Sequence, residues 1–284
     1  MIEFRDVTFA YEGGVPVLHD VSFSVADGDF VAFVGTNGAG KSTTMRLVNG
    51  LLKPTSGQVL IDGTPTTELA TSQLARRVGF LFQNPDRQIC CNTVREELLF
   101  GFECKGEGGV QAEARVDEVV DRFGFDPAAD PFLLNRGTRQ LLALASIIVC
   151  APPVVVLDEP TTGLDYRECM QVMQIVRALH EGGTTVIMVC HDMEVVADFA
   201  ERVVVMHDGR VVADGPTFEV LRDEAACEEA SLVPPQVVGI SQGLVRVCPE
   251  LAATPLATAD ELDAMEAAVV ALAQGDPVCE GGAR

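Results

Sequence analysis

Basic residues are scarce in this chain: 20 Lys and Arg stand against 42 Asp and Glu, for a net charge of −22 over 284 residues. A field of that sign repels phosphate backbones and anionic lipid surfaces, which argues against nonspecific binding to nucleic acid or to a bilayer. Long apolar runs are missing too. The longest, around Leu141 to Ala151, stops at Pro152 and Pro153, so no membrane span is expected. The start, MIEFRDVTFAY, has no basic segment followed by an apolar core, and no signal peptide is expected. The nine cysteines are odd in number and scattered, with one adjacent pair, Cys90 and Cys91, and no C-x-x-C spacing. That suits free thiols in a reducing compartment better than a disulfide framework or a zinc site. Internal repeats and low-complexity tracts are absent. What remains is a cytosolic chain with the length of about two average domains, able to bury a full core. Any connection to a membrane must then run through a partner.

From Ile2 to about Phe33 the apolar residues alternate or run in short blocks broken by YEGGVP and ADGD, which predicts antiparallel strands and turns. The pattern then changes. DFVAFVG reads as a buried strand leading into a glycine-rich loop and then into a helix, KSTTMRLVNGLL. PPVVVLD and TTVIMVCHD are continuous apolar runs flanked by helical stretches at about 138–150, 166–181 and 192–200. Such runs mark parallel strands covered on both faces, so the core is expected to be α/β. Thr93 and Glu96 stand in capping-box spacing at the head of the stretch to Phe102, and Val110 to Phe123 has helical apolar spacing. Together they predict a helical insertion over about 88–150. After Leu232 the pair Pro234 and Pro235 reads as a linker, giving a main domain over 1–232 and a small, mostly helical tail over 233–284.

GTNGAGKS, Gly35 to Ser42, matches G-x-x-x-x-G-K-S with a strand before it and a helix after it, the context a phosphate-binding loop needs. Consecutive backbone N–H groups of the loop and the helix N-terminus are expected to point at phosphate oxygens, with Gly35, Asn37, Gly38 and Gly40, and Thr43 in the first helical turn, as candidate contacts. Lys41 neutralises the terminal phosphates, and the Ser42 hydroxyl can hold Mg²⁺. A second signal is VVVLDE. There an apolar strand ends in Asp158, placed to hold the magnesium through water, and Glu159, placed to take a proton from an attacking water.

In this order and spacing, GTNGAGKS, VVVLDEPTTGLD and VIMVCHD resemble the nucleotide-binding subunits of ABC transporters, over residues 1 to about 230. The resemblance implies an α/β fold with a P-loop NTPase core of ABC ATPase type, carrying an antiparallel β subdomain, a helical subdomain and the tail. It implies ATP and Mg²⁺ as ligands, with Ser42, Gln83 and Asp158 as the metal set. Gln83, in FLFQNPD, would be the Q-loop residue that touches magnesium and senses the membrane partner. His191 would be the switch histidine at the γ-phosphate, catalytic with Glu159, and Asp165 would lie in a D-loop that crosses to a second subunit. Tyr11 stands where the family stacks an aromatic ring on adenine, worth about 1 to 3 kcal/mol if base stacking on proteins is a guide.

A narrower resemblance lies in FQNPDRQICCNTVREELLFG, residues 82–101, and in the proline-led acidic tail, which look like the A components of energy-coupling factor importers. That group takes up vitamins and transition-metal ions; the ATPase of another ABC importer is the alternative within the class. The implied partners are a second ABC ATPase subunit and integral membrane subunits. The chain would then sit at the cytoplasmic face of the cell membrane, peripheral and without insertion.

One motif departs from the resemblance. The loop upstream of the LDE strand reads L-S-G-G-Q in the family and aligns without gaps on Leu134, Asn135, Arg136, Gly137 and Thr138, so three of five positions differ. Its purpose is to offer a serine hydroxyl and glycine N–H groups, at a helix N-terminus, to the γ-phosphate bound by the other subunit. Asn135 can still cap the helix and donate from its amide, and Gly137 still allows close approach, so both stay candidate nucleotide contacts. Arg136 adds bulk. A degenerate half-site, a guanidinium that itself reaches the phosphates and neutral drift all stay open. The first implies a heterodimer with a paralogue whose own loop is intact.

Two other functions compete. An ABC ATPase that works on nucleic acid or ribosomes is opposed by the charge and by the single phosphate loop. An ATP-binding subunit with little hydrolysis is opposed by Glu159 and His191 but supported by the altered loop.

Overall fold

The computed structural model describes residues 1–274; the last part of the expected tail, 275–284, lies outside the described residues and takes Cys279 with it. Two sheets organise the main body. In the first, β1 (Ile2–Ala10) pairs antiparallel with β2 (Pro16–Val25) on one side and β4 (Ser56–Ile61) on the other, and the two-residue β5 (Thr64–Pro65) closes that edge. The second sheet is built from β3 (Phe30–Val34), β6 (Val78–Leu81), β7 (Val154–Asp158), β8 (Thr185–Val189), β9 (Arg202–His207) and β10 (Arg210–Pro216), in the order β10-β9-β3-β8-β7-β6. Its strands run parallel from β9 to β6, and β10 returns antiparallel along β9. The antiparallel reading of the N-terminal region therefore holds as far as Val25, while Phe30–Val34 departs for the parallel sheet.

Period-two alternation explains why β3 is apolar throughout. Phe30, Ala32 and Val34 enter a core shared with helices, whereas Val31 and Phe33 enter a second core shared with the antiparallel sheet. Both faces are covered, so polar positions have no place in the strand. α1 (Lys41–Val48) follows β3, and a single turn, α2 (Thr71–Leu74), precedes β6.

The helical insertion consists of α3 (Val94–Lys105), α4 (Val110–Phe123) and α5 (Arg136–Ile148). The capping box read from Thr93 and Glu96 is formed: Thr93 Oγ1 accepts from the Glu96 N–H at 3.2 Å, and the Glu96 carboxylate accepts from the Thr93 N–H at 3.1 Å. α5 begins two residues before the expected 138, which makes Arg136 its first residue. α6 (Tyr166–Glu181) and α7 (Met193–Phe199) start from Asp165 and Asp192, whose side chains accept N–H bonds from the first turn.

α8 (Thr217–Arg222) and α9 (Glu224–Glu229) lead to α10 (Gln236–Val247) and α11 (Leu262–Gln274), which enclose a small core of Leu256, Ala259, Met265 and Ala268. The proline pair before α10 is more than a spacer. The Gln236 N–H donates to the Glu194 carboxylate at 2.8 Å, and Arg222 donates to the Ala257 carbonyl at 2.8 Å, so the tail is fastened at the start of α10 and again in the turn between α10 and α11.

Candidate functional site

The carboxyl ends of three parallel strands gather the candidate residues. β3 ends at Val34 and runs into Gly35, β7 ends in Asp158, and β8 ends at Val189, two residues before His191. That edge of an open parallel sheet is where loops and helix N-termini converge, and ligands bind there for that reason.

Two glycines set the shape of the loop. Gly35 takes φ +139°, and a Cβ there would stand 2.0 Å from the Met206 carbonyl oxygen of β9. Gly40 takes φ +99° as the residue that caps α1. Both conformations are hard for any residue with a side chain. Gly38 and Asn37 form the exposed tip between them. Lys41 follows as the first residue of α1, buried, with Nζ donating to the carbonyls of Gly35 at 2.7 Å and Thr36 at 2.9 Å. Burial pushes its ammonium below the ordinary lysine pKa, and the charges of Glu159 and Asp158 pull it back up. A desolvated cation held at the mouth of a loop is prepared for an anion.

Ser42 Oγ donates to Asp158 Oδ1 at 3.0 Å, which joins α1 to the end of β7. Asp158 is 4% exposed; burial pushes its carboxyl above the usual range and the Ser42 bond pulls it down. A hydroxyl and a carboxylate are hard oxygen donors, so Mg²⁺ fits this pair. Tyr11, 44% exposed, sits with its hydroxyl 3.3 Å from Thr43 Oγ1 and its ring edge-on to Phe9, beside the same helix start.

Glu159 is the centre of a second cluster. Its Oε2 accepts from Gln83 Nε2 at 2.6 Å and from Thr162 Oγ1 at 2.9 Å, and its Oε1 lies 2.9 Å from His191 Nε2. The backbone there takes φ +53° and donates its N–H to Val189 at 3.0 Å. A non-glycine residue keeps a left-handed conformation only where the surroundings enforce it. Thr162 and Gln140, whose buried amide donates to the Pro160 carbonyl at 3.1 Å, are site residues that the sequence reading missed. Its place in EPTTGLD gives no sign that the Thr162 hydroxyl meets Glu159.

Asn135 and Gly137 stand apart from these groups. The Asn135 side chain accepts from the Thr138 N–H at 2.8 Å and caps α5. A Cβ on Gly137 would meet Glu168 Oε1 at 2.0 Å, so its close approach is to α6 of the same chain. Arg136 Nη2 donates to the Thr162 carbonyl at 3.0 Å. The start of α5 thus reaches the Glu159 cluster only through the segment after β7.

Cys90, Cys91 and Glu97 bring ligand-type atoms within 4.8 Å of one another. The buried Glu97 carboxylate, however, accepts the N–H groups of both cysteines at 2.9 Å. Burial, and then the Glu97 charge, push the Cys91 thiol up to about 12. The group anchors a loop with protonated thiols, and the eight described cysteines are all free.

Two concavities adjoin the site. A cleft of about 660 Å³ opens beside Gly35, Thr36 and His191 and is walled on its far side by Leu232, Pro234 and Gln236. An apolar groove of about 350 Å³ runs between the β6 edge and the helical insertion, lined by Leu51, Phe80, Phe82, Phe100 and Ile147, with Leu51 and Phe100 exposed. Phe82 places it one residue from Gln83.

A family model described as ABC transporter matches residues 18–162. A putative ABC transporter ATP-binding protein of Caldanaerobacter subterraneus is 40% identical over 247 residues, 86% of this chain, which spans 43% of that relative's length. The energy-coupling factor transporter ATP-binding protein EcfA of Methanothermobacter thermautotrophicus is 38% identical over 84% of this chain and 78% of its own length. Among solved structures, CbiO1 of Clostridium perfringens, part of the ABC transporter complex CbiONQ, superposes with a TM-score of 0.71 at 27% identity, covering 88% of this chain and 96% of that one. A dimeric ATP-binding cassette in a post-hydrolysis state, bound to ADP and Pi, gives a TM-score of 0.69 at 29% identity, covering 76% of this chain and 99% of its own.

Proposed function

The chain belongs to the ABC transporter family as an ATP-binding, ATP-hydrolysing subunit, and from that premise we propose that it powers an energy-coupling factor importer of vitamins or transition-metal ions. The observation that carries the catalytic part is the Glu159 carboxylate, held by Gln83, Thr162 and His191 at the strand edge that also carries Lys41 and the Ser42–Asp158 pair. In this reading the loop from Gly35 to Thr43 holds the phosphates of ATP, with Asn37, Gly38 and Gly40 offering backbone N–H groups and Lys41 neutralising the terminal phosphates. Tyr11 stacks on the adenine. Glu159 takes the proton of a water as its oxygen attacks the γ-phosphorus and ADP leaves, and His191 orients the carboxylate and the γ-phosphate. Ser42, Asp158 and Gln83 would hold Mg²⁺, which would supply positive charge against the phosphate oxygens. Asn135 and Gly137 face the nucleotide of a second ATPase subunit.

The importer assignment is supported by residues 82–101, by the tail and by the similarity to EcfA. Among the described residues no helix is long and apolar enough to cross a membrane, and in this reading other chains form the transport path. We place a short helix of an integral membrane subunit in the groove of Phe80, Phe82 and Phe100, where it would bear on Gln83 through Phe82. The protein then works as a peripheral subunit at the cytoplasmic face. Purification of the tagged chain from its native membranes tests this: an integral membrane protein and a second ATPase should come down with it, and Phe100→Asp should release the membrane subunit. Recovery of ribosomes or DNA instead would remove the transport reading.

A further inference from the structure

We infer that Arg136 is a positioning residue for Glu159 of its own chain, acting through Thr162; this rests on the role proposed above for Glu159. The guanidinium of this first residue of α5 donates through Nη2 to the Thr162 carbonyl at 3.0 Å. It also lies flat on Gly163: a Cβ there would sit 2.8 Å from both Cζ and Nε. Gly163, at φ +77°, provides a seat that no other residue could offer without moving the guanidinium. The same Thr162 turns its hydroxyl the other way, donating to Glu159 Oε2 at 2.9 Å. One residue is therefore gripped at its carbonyl by Arg136 and at its hydroxyl by the carboxylate.

The turn needs such a grip. Glu159 opens it in a left-handed conformation, and the turn is closed by weak bonds, Thr162 N–H to Glu159 at 3.3 Å and Leu164 N–H to Thr161 at 3.2 Å. Strained backbone of this kind persists where neighbours over-determine it. α5 supplies two such neighbours one turn apart: Gln140 on the Pro160 carbonyl and Arg136 on the Thr162 carbonyl. Glycine at 136 would leave only the first. The substitution that costs the loop its L-S-G-G-Q shape thus has a use inside the chain. An arginine engaged on Thr162 is also not extended toward phosphates bound elsewhere.

The test is steady-state ATPase kinetics of the purified complex. Glu159→Gln comes first: if it leaves turnover intact, the role of Glu159 falls and Arg136 has nothing to position. With that role standing, Arg136→Ala should lower kcat about five-fold, the worth of one ordinary hydrogen bond from an exposed side chain, while KM for ATP stays the same. Arg136→Lys, which keeps a cation able to reach the carbonyl, should recover part of the loss. In a Thr162→Val background, where the hydroxyl link is gone, Arg136→Ala should cost nothing further, which a general packing role would not predict. Unchanged or faster turnover in Arg136→Ala would overturn the inference, and faster turnover would mark Arg136 as a lesion in the signature loop. An effect equal in both backgrounds, or confined to KM, would overturn it as well.

Discussion

Two helix starts in this protein carry glycine and were read as facing phosphate, and they are built differently. At the start of α1, Gly35 and Gly40 take left-handed backbone, the first against the carbonyl of Met206, and Lys41 is buried and tied to the loop's own carbonyls. At the start of α5, Gly137 lies in helical backbone against the end of a flexible side chain, Glu168, and its neighbour Arg136 is exposed and turned toward Thr162. The first is a cradle enforced by backbone; the second is a capped helix whose side chains serve neighbours in the same chain. A loop enforced by backbone tolerates almost no change, whereas a side-chain arrangement can drift and acquire a new partner.

Breaking the site that the first region serves, Glu159 after β7 and Lys41 in the loop itself, should have the largest effects. Glu159→Gln should keep ATP binding and lower hydrolysis by about 10² to 10⁴, the usual worth of a positioned general base. Beside a paralogous subunit with an intact L-S-G-G-Q, the matching change in the partner should matter much less, because the competent site would use Lys41, Gln83, Glu159 and His191 of this chain. Equal losses from the two changes, measured as turnover of the complex, would end the asymmetric picture. Lys41→Ala should weaken ATP binding by about 10- to 100-fold in calorimetry, since a charge-assisted contact is lost.

The two glycines compare directly. Gly35→Ala should destabilise the fold by about 2 kcal/mol or more, because both its φ and the Met206 carbonyl oppose a methyl group. Gly137→Ala should cost about 1 kcal/mol or less in denaturant unfolding, since Glu168 can move and alanine favours a helix. Similar costs would mean that the two starts are equally rigid. The smallest effect is expected from truncation to residues 1–232. Every proposed phosphate contact is kept; the losses are part of the cleft wall near His191, the Gln236–Glu194 tie and the bonds of Arg222 and Glu224 to the tail, which lie away from the phosphate loop. ATP affinity should change by less than about ten-fold, about 1.4 kcal/mol; a folded truncation that no longer binds would make the tail part of the site.

How much was legible follows from how far apart the partners stand in the chain. The phosphate loop, the capping box at Thr93 and the strand ending at Asp158 are contiguous patterns whose geometry is local. β4, β6 and the β9–β10 hairpin went unread: β4 is buried over its last three residues alone, β6 and β10 sit at sheet edges with mixed burial, and β9 lies in no recognised motif. Arg136 was legible as an anomaly. Its partner was not, because Thr162 lies 26 residues away and nothing in either stretch points to the other.

The sequence by itself determined the parallel core, the glycine-rich loop before α1 and the identity of the carboxylates at the strand end, because backbone conformation and apolar period are written in consecutive residues. Only the tertiary structure decided that Gln83, Thr162 and His191 meet on one carboxylate and that the tail walls a cleft beside the loop. It also decided that the arginine in the altered loop turns inward. Hydrogen bonds and close approach depend on separations of a few ångströms between segments far apart in the chain, and those are set by how sheets and helices pack.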